Sequence, residues 1–276
     1  MELKKGVVIR STGSWYSVRV SKEEIFEVRI KGKFRNQGIK TTSPIAVGDN
    51  VVFELHENGD GVISEILPRR NYIIRKSVNL SKQAHIIASN IDQAILIVTI
   101  AAPSTSTGFI DRFLVTAEAY HIPITIVFNK IDAYSEFETQ KLLILKEVYE
   151  SIGYSCMSIS ALNNLGVDQV KNLMKDKVTL LSGHSGVGKS TLVNTIDSSL
   201  DLKTASVSDS HNKGKHTTTF AEMFELSIGG FIIDTPGIKG FGLVDFEKSD
   251  LSHYFIDIRR YIDNCKFNNC QHIKEP

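Results

Sequence analysis

Cysteine is scarce, tryptophan occurs once, long apolar runs are missing and net charge is nearly absent: three Cys, one Trp and a formal charge of +1 in 276 residues. Three cysteines, an odd number without an export signal, argue against a disulfide framework and for thiols or metal ligands. The longest apolar run, around residues 94–102, is about half of the roughly 18 residues that a membrane span needs. The start, Met1-Glu-Leu-Lys-Lys-Gly-Val7, lacks the apolar core and small-residue cleavage site of a signal peptide. A soluble, cytoplasmic protein with no membrane partner is therefore expected. What is present, 42% hydrophobic and 23% charged residues, is the composition of a folded chain and excludes wholesale disorder. The length suits one large domain or two to three small ones. No internal repeat or low-complexity tract is found.

The near-zero net charge hides an asymmetry. Residues 1–40 hold ten Lys and Arg against four acids, a local charge of +6. Two readings stand: a solvated strand surface, or a footprint for a phosphate backbone. The same segment reads as strands, in Gly6–Arg10, Trp15–Val20, Ile25–Ile30 and Asn50–Leu55, with a hairpin signal at Asn58-Gly-Asp-Gly61. Five or so short strands in about 68 residues predict a small β-barrel, with the OB-fold as leading candidate. After Pro68-Arg-Arg70 the period changes. Strands at 94–100, 124–128, 154–159 and 178–181 alternate with helices at 109–121, from Ser135 to Gly153, and near 167–174. Ser135-Glu-Phe-Glu138 is a capping box and Gly153 suits a helix exit. This βα alternation predicts an α/β domain, a doubly wound parallel sheet with helices on both faces. A helical stretch at 247–262 and a Cys/His cluster follow.

Gly183-His184-Ser185-Gly186-Val187-Gly188-Lys189-Ser190 matches the phosphate-binding loop, with a strand before it and a helix beginning inside it. Glycines let successive N–H groups turn toward phosphate oxygens, and the helix N-terminus adds a favourable dipole. Lys189 would bridge the β- and γ-phosphates, Ser190 would hold Mg2+, and Thr191 continues the helix beside them. Asn129-Lys130-Ile131-Asp132 follows a buried strand and supplies the choice of base. A carboxylate there accepts from guanine N1–H and N2–H2, a donor pair that adenine lacks. Ser160-Ala161 also follows a strand, and a backbone N–H there would meet guanine O6. Asp234-Thr-Pro-Gly237 follows the apolar strand 230–233: Asp234 would hold Mg2+ through water and the Gly237 N–H would sense the γ-phosphate.

Between these motifs lies Lys213-Gly-Lys-His-Thr-Thr-Thr219, suited to a mobile switch loop, with Thr218 expected to complete the Mg2+ shell. Ras-like enzymes place a water-orienting glutamine directly after the glycine of the Asp-x-x-Gly motif. Here that residue is Ile238, which cannot hydrogen-bond water. His216 is the candidate replacement and His184 a poorer one, so slow turnover is expected until a partner orders residues 217–219. Cys265, Cys270 and His272 are three candidate ligands within eight residues. Soft thiolates and an imidazole favour Zn2+, although spacing alone leaves two free thiols in a loop as an equal alternative. Cys156, inside a strand, is expected in the core.

The guanine-reading motif precedes the phosphate loop, which is a circularly permuted order. Taken together, Asn129–Asp132, Gly183–Ser190, Gly214–Thr219, Asp234–Gly237 and Cys265/Cys270/His272 resemble the ribosome small-subunit-dependent GTPase A family over nearly the whole chain. The resemblance implies an OB-fold RNA-binding domain at 1–68, a permuted G domain at 71–242 and a small C-terminal zinc-binding helical domain at 243–276. It also implies a Mg2+-dependent GTP hydrolase that turns GTP into GDP. Its partners would be the 30S subunit and 16S rRNA, its role late maturation of that subunit, its turnover stimulated by the particle, and its state monomeric. Members carry another cysteine shortly after the Glu-Pro that ends this sequence, so the fourth zinc ligand is expected beyond it. Three rivals remain: a permuted GTPase of the large subunit, an RNA-binding module with nucleotide as structural ligand, and a P-loop ATPase or kinase.

Overall fold

The structure is a computed structural model that describes residues 2–30, 44–56, 61–76, 84–200, 221–234 and 247–266. Strands β1 (Glu2–Ser11), β2 (Tyr16–Arg19), β3 (Ile25–Ile30), β4 (Asn50–Leu55) and β5 (Gly61–Ile66) come first. Their alternation is what the sequence pattern requires: Tyr16 and Val18, Val51 and Phe53, Gly61 and Ile63 point inward, with less buried residues between them. The pairings run β1–β2, β2–β3, β3–β5, β5–β4 and β4–β1, so the ring closes. Only β3–β5 is parallel. This five-stranded OB-type barrel encloses Val8, Tyr16, Val18, Val28, Phe53 and Ile63.

A hairpin follows, β6 (Tyr72–Lys76) and β7 (Ala84–Ser89). It is bound to the barrel by a buried carboxylate. Asp49 accepts from Arg69 Nε and Nη2, each at 2.6 Å, from Ser89 Oγ at 2.6 Å and from the Ala46 N–H at 2.8 Å. A fully buried charge is tolerated only when it is this completely paired.

The larger unit is built from β8 (Gln93–Val98), α1 (Thr107–Ala119), β9 (Ile124–Phe128), α2 (Glu136–Ile152), β10 (Ser155–Ser158), α3 (Val167–Met174), β11 (Val178–Ser182), α4 (Lys189–Ile196), β12 (Glu222–Glu225) and β13 (Phe231–Asp234). Its strands are ordered β10-β9-β8-β11-β13-β12, parallel except for β12. Every residue of β8 is buried, because both faces of the sheet are covered. Ala94, Leu96 and Val98 face a core shared with Phe113 of α1 and Leu142 of α2. Ile95 and Ile97 face the opposite core, with Val170 of α3 and Leu192 of α4. The chain moves outward from β8 to β10 and then returns to the other side of β8 at β11. That reversal is the topological switch point, where open α/β sheets hold their ligands.

The capping box of α2 is formed: Ser135 Oγ accepts from the Glu138 N–H, and Glu138 accepts from the Ser135 N–H at 2.7 Å. Gly153 closes the helix in the left-handed region at φ +118°. Four features differ from the sequence expectation. The β6–β7 hairpin and β12 were not anticipated. The stretch 247–262 is broken into a 3-10 segment at Lys248–Tyr254, a short α5 at Ile256–Arg259 and another 3-10 turn at Ile262–Asn264, with Phe255 extended between the first two. Its serines and aspartates have low helix propensity, which disfavours a continuous helix. Cys156 lies half-buried on the edge strand β10 rather than deep in a core, and burial pushes its thiol up to about 12.

Candidate nucleotide site

The loop Gly183–Ser190 joins β11 to α4 at the switch point. Glycine is required in it for two separate reasons. Gly183 has φ +147°, and a Cβ there would lie 2.3 Å from the Ile97 carbonyl oxygen on the neighbouring strand. Gly188 has φ +97°, and a Cβ would lie 2.3 Å from Asn129 Nδ2. Val187, between them, is buried and anchors the loop in the core beside Leu192. Lys189 begins α4, and its Nζ donates to the carbonyls of Gly183 at 2.7 Å and His184 at 2.8 Å. The lysine therefore lies across the loop it belongs to. His184 packs its ring on Phe109 of α1, with centroids 3.9 Å apart. Ser185 and Gly186 are exposed at the crest, while Ser190 and Thr191 are half-buried in the first turn of α4.

Asn129 is buried at the end of β9, with 2% of its surface exposed, and each end of its amide is used. Nδ2 donates to the Val187 carbonyl at 2.8 Å, and Oδ1 accepts from the Ala161 N–H at 3.0 Å. One side chain thus ties together the loops that follow β9, β10 and β11. Lys130 adopts the left-handed region at φ +68° and donates from Nζ to the Ala102 carbonyl at 2.6 Å. Ile131 begins a 3-10 turn, its N–H on the Ile159 carbonyl at 3.2 Å, and Asp132 in that turn is exposed.

The turn after β10 departs from the sequence expectation. The Ser160 N–H is taken by the Leu165 carbonyl at 3.0 Å and the Ala161 N–H by Asn129. Neither amide is held open toward a base. Ser160 Oγ accepts from the Asn163 N–H at 3.1 Å, so this pair shapes the turn from inside.

Asp234 closes β13, whose register sets it beside Leu181, just before the phosphate loop. His216 and Thr218, Gly237 and Ile238, and Cys270 and His272 lie outside the described residues. Cys265 is described and half-buried, its Sγ 3.7 Å from the Tyr261 carbonyl oxygen. Among the described residues no group of three or more His, Cys, Asp or Glu side chains gathers as a metal site.

The basic N-terminal segment is partly neutralised within the fold. Lys4 pairs with Glu24 at 3.2 Å, Arg19 with Glu225 at 2.6 Å and Arg10 with Glu222 at 3.9 Å. Arg29 is exposed and lies over the ring of the half-buried Trp15, 3.8 Å from its centroid. Lys31, Lys33, Arg35 and Lys40 lie outside the described residues.

Sequence reasoning missed the strut formed by residues 99–106, after β8. The Thr99 N–H donates to Thr105 Oγ1 at 3.2 Å, and Pro103 stands 3.4 Å from where a Cβ of Gly186 would sit. Tyr134 was also missed. No local signal marks it, because its partners are the Asn129 carbonyl and the Ile100 N–H.

A family model described as RsgA GTPase matches residues 66–244, and one described as RsgA N-terminal domain matches residues 5–63. The small ribosomal subunit biogenesis GTPase RsgA of Flavobacterium psychrophilum is 56% identical over 274 residues, covering 98% of this chain and 84% of that protein. Its counterpart from Phocaeicola vulgatus is 56% identical over 272 residues, covering 99% and 88%. Among solved structures, YjeQ from Thermotoga maritima aligns over 100% of this chain and 88% of its own, with a TM-score of 0.78 and 32% identity. YloQ, a circularly permuted GTPase, aligns over 100% and 85%, with a TM-score of 0.74 and 28% identity. With a closed barrel, a permuted motif order and both family models matched, the chain belongs to the RsgA GTPase family.

Proposed function

We propose that the protein hydrolyses GTP to GDP while bound to the small ribosomal subunit, assisting its late maturation, and that the particle stimulates turnover. The observation that carries this reading is Asn129, whose two amide bonds fasten the base-reading turn to the phosphate loop. The names of the relatives, small ribosomal subunit biogenesis GTPases, support the choice of particle. Asp132 accepts from guanine N1–H and N2–H2, with Lys130, Ile131 and the Ser160–Ala161 turn beside it. The amides of residues 183–191 and the Lys189 ammonium receive the phosphates.

Mg2+ suits the same edge, because β11, which leads into the loop ending at Ser190, pairs in parallel with β13, which ends at Asp234; those two and Thr218 would hold it. When bound, the ion neutralises charge developing on the phosphate oxygens. The Gly237 N–H senses the γ-phosphate. Ile238 offers no hydrogen bond to water, so the isolated chain turns over slowly and His216 is positioned only on the particle. Cys265, Cys270 and His272 supply three of the four ligands of a structural Zn2+, a donor set of soft thiolates and an imidazole. Labour divides along the chain: the barrel, residues 1–68, contacts 16S rRNA with Arg29 and its basic neighbours; residues 71–242 hold the nucleotide; residues 243–276 form the zinc module. The protein acts as a cytoplasmic monomer.

GTP hydrolysis measured with 30S particles, with 50S particles and with neither, at one stated salt concentration, tests this. A rate that rises only with 30S is expected; equal rates in all three arms overturn the proposal. Asp132→Asn should cost about 100-fold in GTP affinity, two charge-assisted bonds being lost. The same variant should gain affinity for xanthosine triphosphate, whose C2 carbonyl matches an amide donor.

A further inference from the structure

Tyr134 stands two residues after Asp132, outside every motif, and its half-buried phenol is fully used. Its hydroxyl donates to the Asn129 carbonyl and accepts from the Ile100 N–H at 2.9 Å. Ile100 lies in the strut of residues 99–106, and Lys130 Nζ grips the same strut at the Ala102 carbonyl. The strut in turn borders the phosphate loop at Pro103 and Gly186. The first two residues of the base-reading motif are therefore held from outside the motif, by a frame that also abuts the phosphate loop. We infer that Tyr134 is a positioning residue for guanine discrimination: its hydroxyl fixes the Asn129 carbonyl against the strut and so sets where Asp132 meets the base.

The chemistry of the link fits that role. Burial raises the phenol above its ordinary value of 10, so it remains a neutral donor throughout the working pH range. A phenylalanine keeps the ring and loses both bonds, leaving the Ile100 N–H and the Asn129 carbonyl without this partner. The 3-10 turn carrying Asp132 then loses its fixed register relative to β9. This inference rests on the nucleotide reading above, and its test separates the two.

Dissociation constants for GDP and for inosine diphosphate are measured on the full chain and on Tyr134→Phe. Inosine keeps N1–H but lacks the 2-amino group, so the ratio of the two constants reports the Asp132 bond to that amino group. If the wild-type chain fails to bind GDP, the nucleotide reading falls, independently of Tyr134. If it binds, Tyr134→Phe is expected to weaken GDP by about fivefold to tenfold. Inosine diphosphate should weaken by less, so that the preference for guanine shrinks. A purely structural loss would lower both affinities together, and an unchanged guanine-to-inosine ratio overturns the inference. Should the variant not fold, amide exchange on the wild-type chain decides. The Ile100 N–H should be protected and gain further protection with GDP but less with inosine diphosphate; equal protection by the two ligands overturns it.

Discussion

At the scale of single residues, Asp197 shows how a buried charge outside the nucleotide site stabilises the fold. The residue follows α4 and is buried at 5% exposure. Its Oδ1 accepts from the Ser199 N–H at 3.1 Å and Ser199 Oγ at 2.6 Å, and its Oδ2 from the Ser227 N–H at 2.6 Å. Burial alone would raise its pKa, but these bonds outweigh it and hold the carboxyl at about 2, below the usual 3.8. The folded value is depressed, so the contribution to stability is complete above about pH 4 and fades as pH falls toward 2. Asp197→Asn should therefore lower unfolding free energy at pH 7 by about 1–3 kcal/mol, a charged acceptor being exchanged for a neutral one. The difference from wild type should shrink below pH 4. Urea unfolding of both proteins at pH 7 and near pH 3 measures it, and a gap that stays constant across that range would count against the assignment.

At the scale of elements, the junction between the phosphate loop and α4 has little tolerance for change. Gly188 caps α4 in the left-handed region, and Asn129 Nδ2 occupies the space where a side chain would begin. Gly188→Ala should cost about 1–2 kcal/mol for the left-handed backbone alone. It should also push Asn129 off the Val187 carbonyl and abolish nucleotide binding. Denaturant unfolding together with fluorescent GDP titration checks both effects, and retained affinity in a folded variant would contradict the Asn129 link. Such local constraints explain what the sequence revealed. The capping box at Ser135, the exit at Gly153 and the glycines of the phosphate loop each follow from a few adjacent residues. The all-apolar β8 was legible because a parallel strand is buried on both faces. β12 was not legible: it has four residues, Glu-Met-Phe-Glu, and its two glutamates are explained by Arg10 and Arg19 more than 200 positions away. Tyr134 was hidden for the same reason, since nothing within its own turn reveals the partner at Ile100.

At the scale of the whole molecule, the barrel and the C-terminal segment meet the sheet domain at different places. The described part of the C-terminal segment, residues 247–266, is anchored at the edge remote from the phosphate loop: Arg260 donates to the Ser151 and Ile152 carbonyls at the end of α2, and Arg259 pairs with Glu118 at the end of α1. Because both helices run from the nucleotide edge toward the opposite one, this anchor lies away from the phosphates. The barrel is placed differently. β1 pairs with β12 at Arg10 and Glu222, Arg19 bonds Glu225, and the Arg19 guanidinium lies over the Phe231 ring of β13. β12 begins directly after residues 201–220, and β13 ends at Asp234. The barrel therefore grips the strand that follows residues 201–220, where the switch loop is proposed, and the strand that ends at Asp234. If the barrel contacts the particle as proposed, that contact has a short mechanical path to both. The Arg19 side chain is only 12% exposed, so its ion pair is better shielded than an ordinary surface pair and should couple by about 1 kcal/mol or more. A double-mutant cycle with Arg19→Met and Glu225→Gln, read by urea unfolding, measures that coupling. In the same variants, hydrolysis without particles should stay near the wild-type rate, because neither residue touches nucleotide, whereas stimulation by 30S particles should fall severalfold. Stimulation that survives intact in the double variant, with coupling demonstrated, would show that the particle reaches the switch loops by another route than the barrel joint.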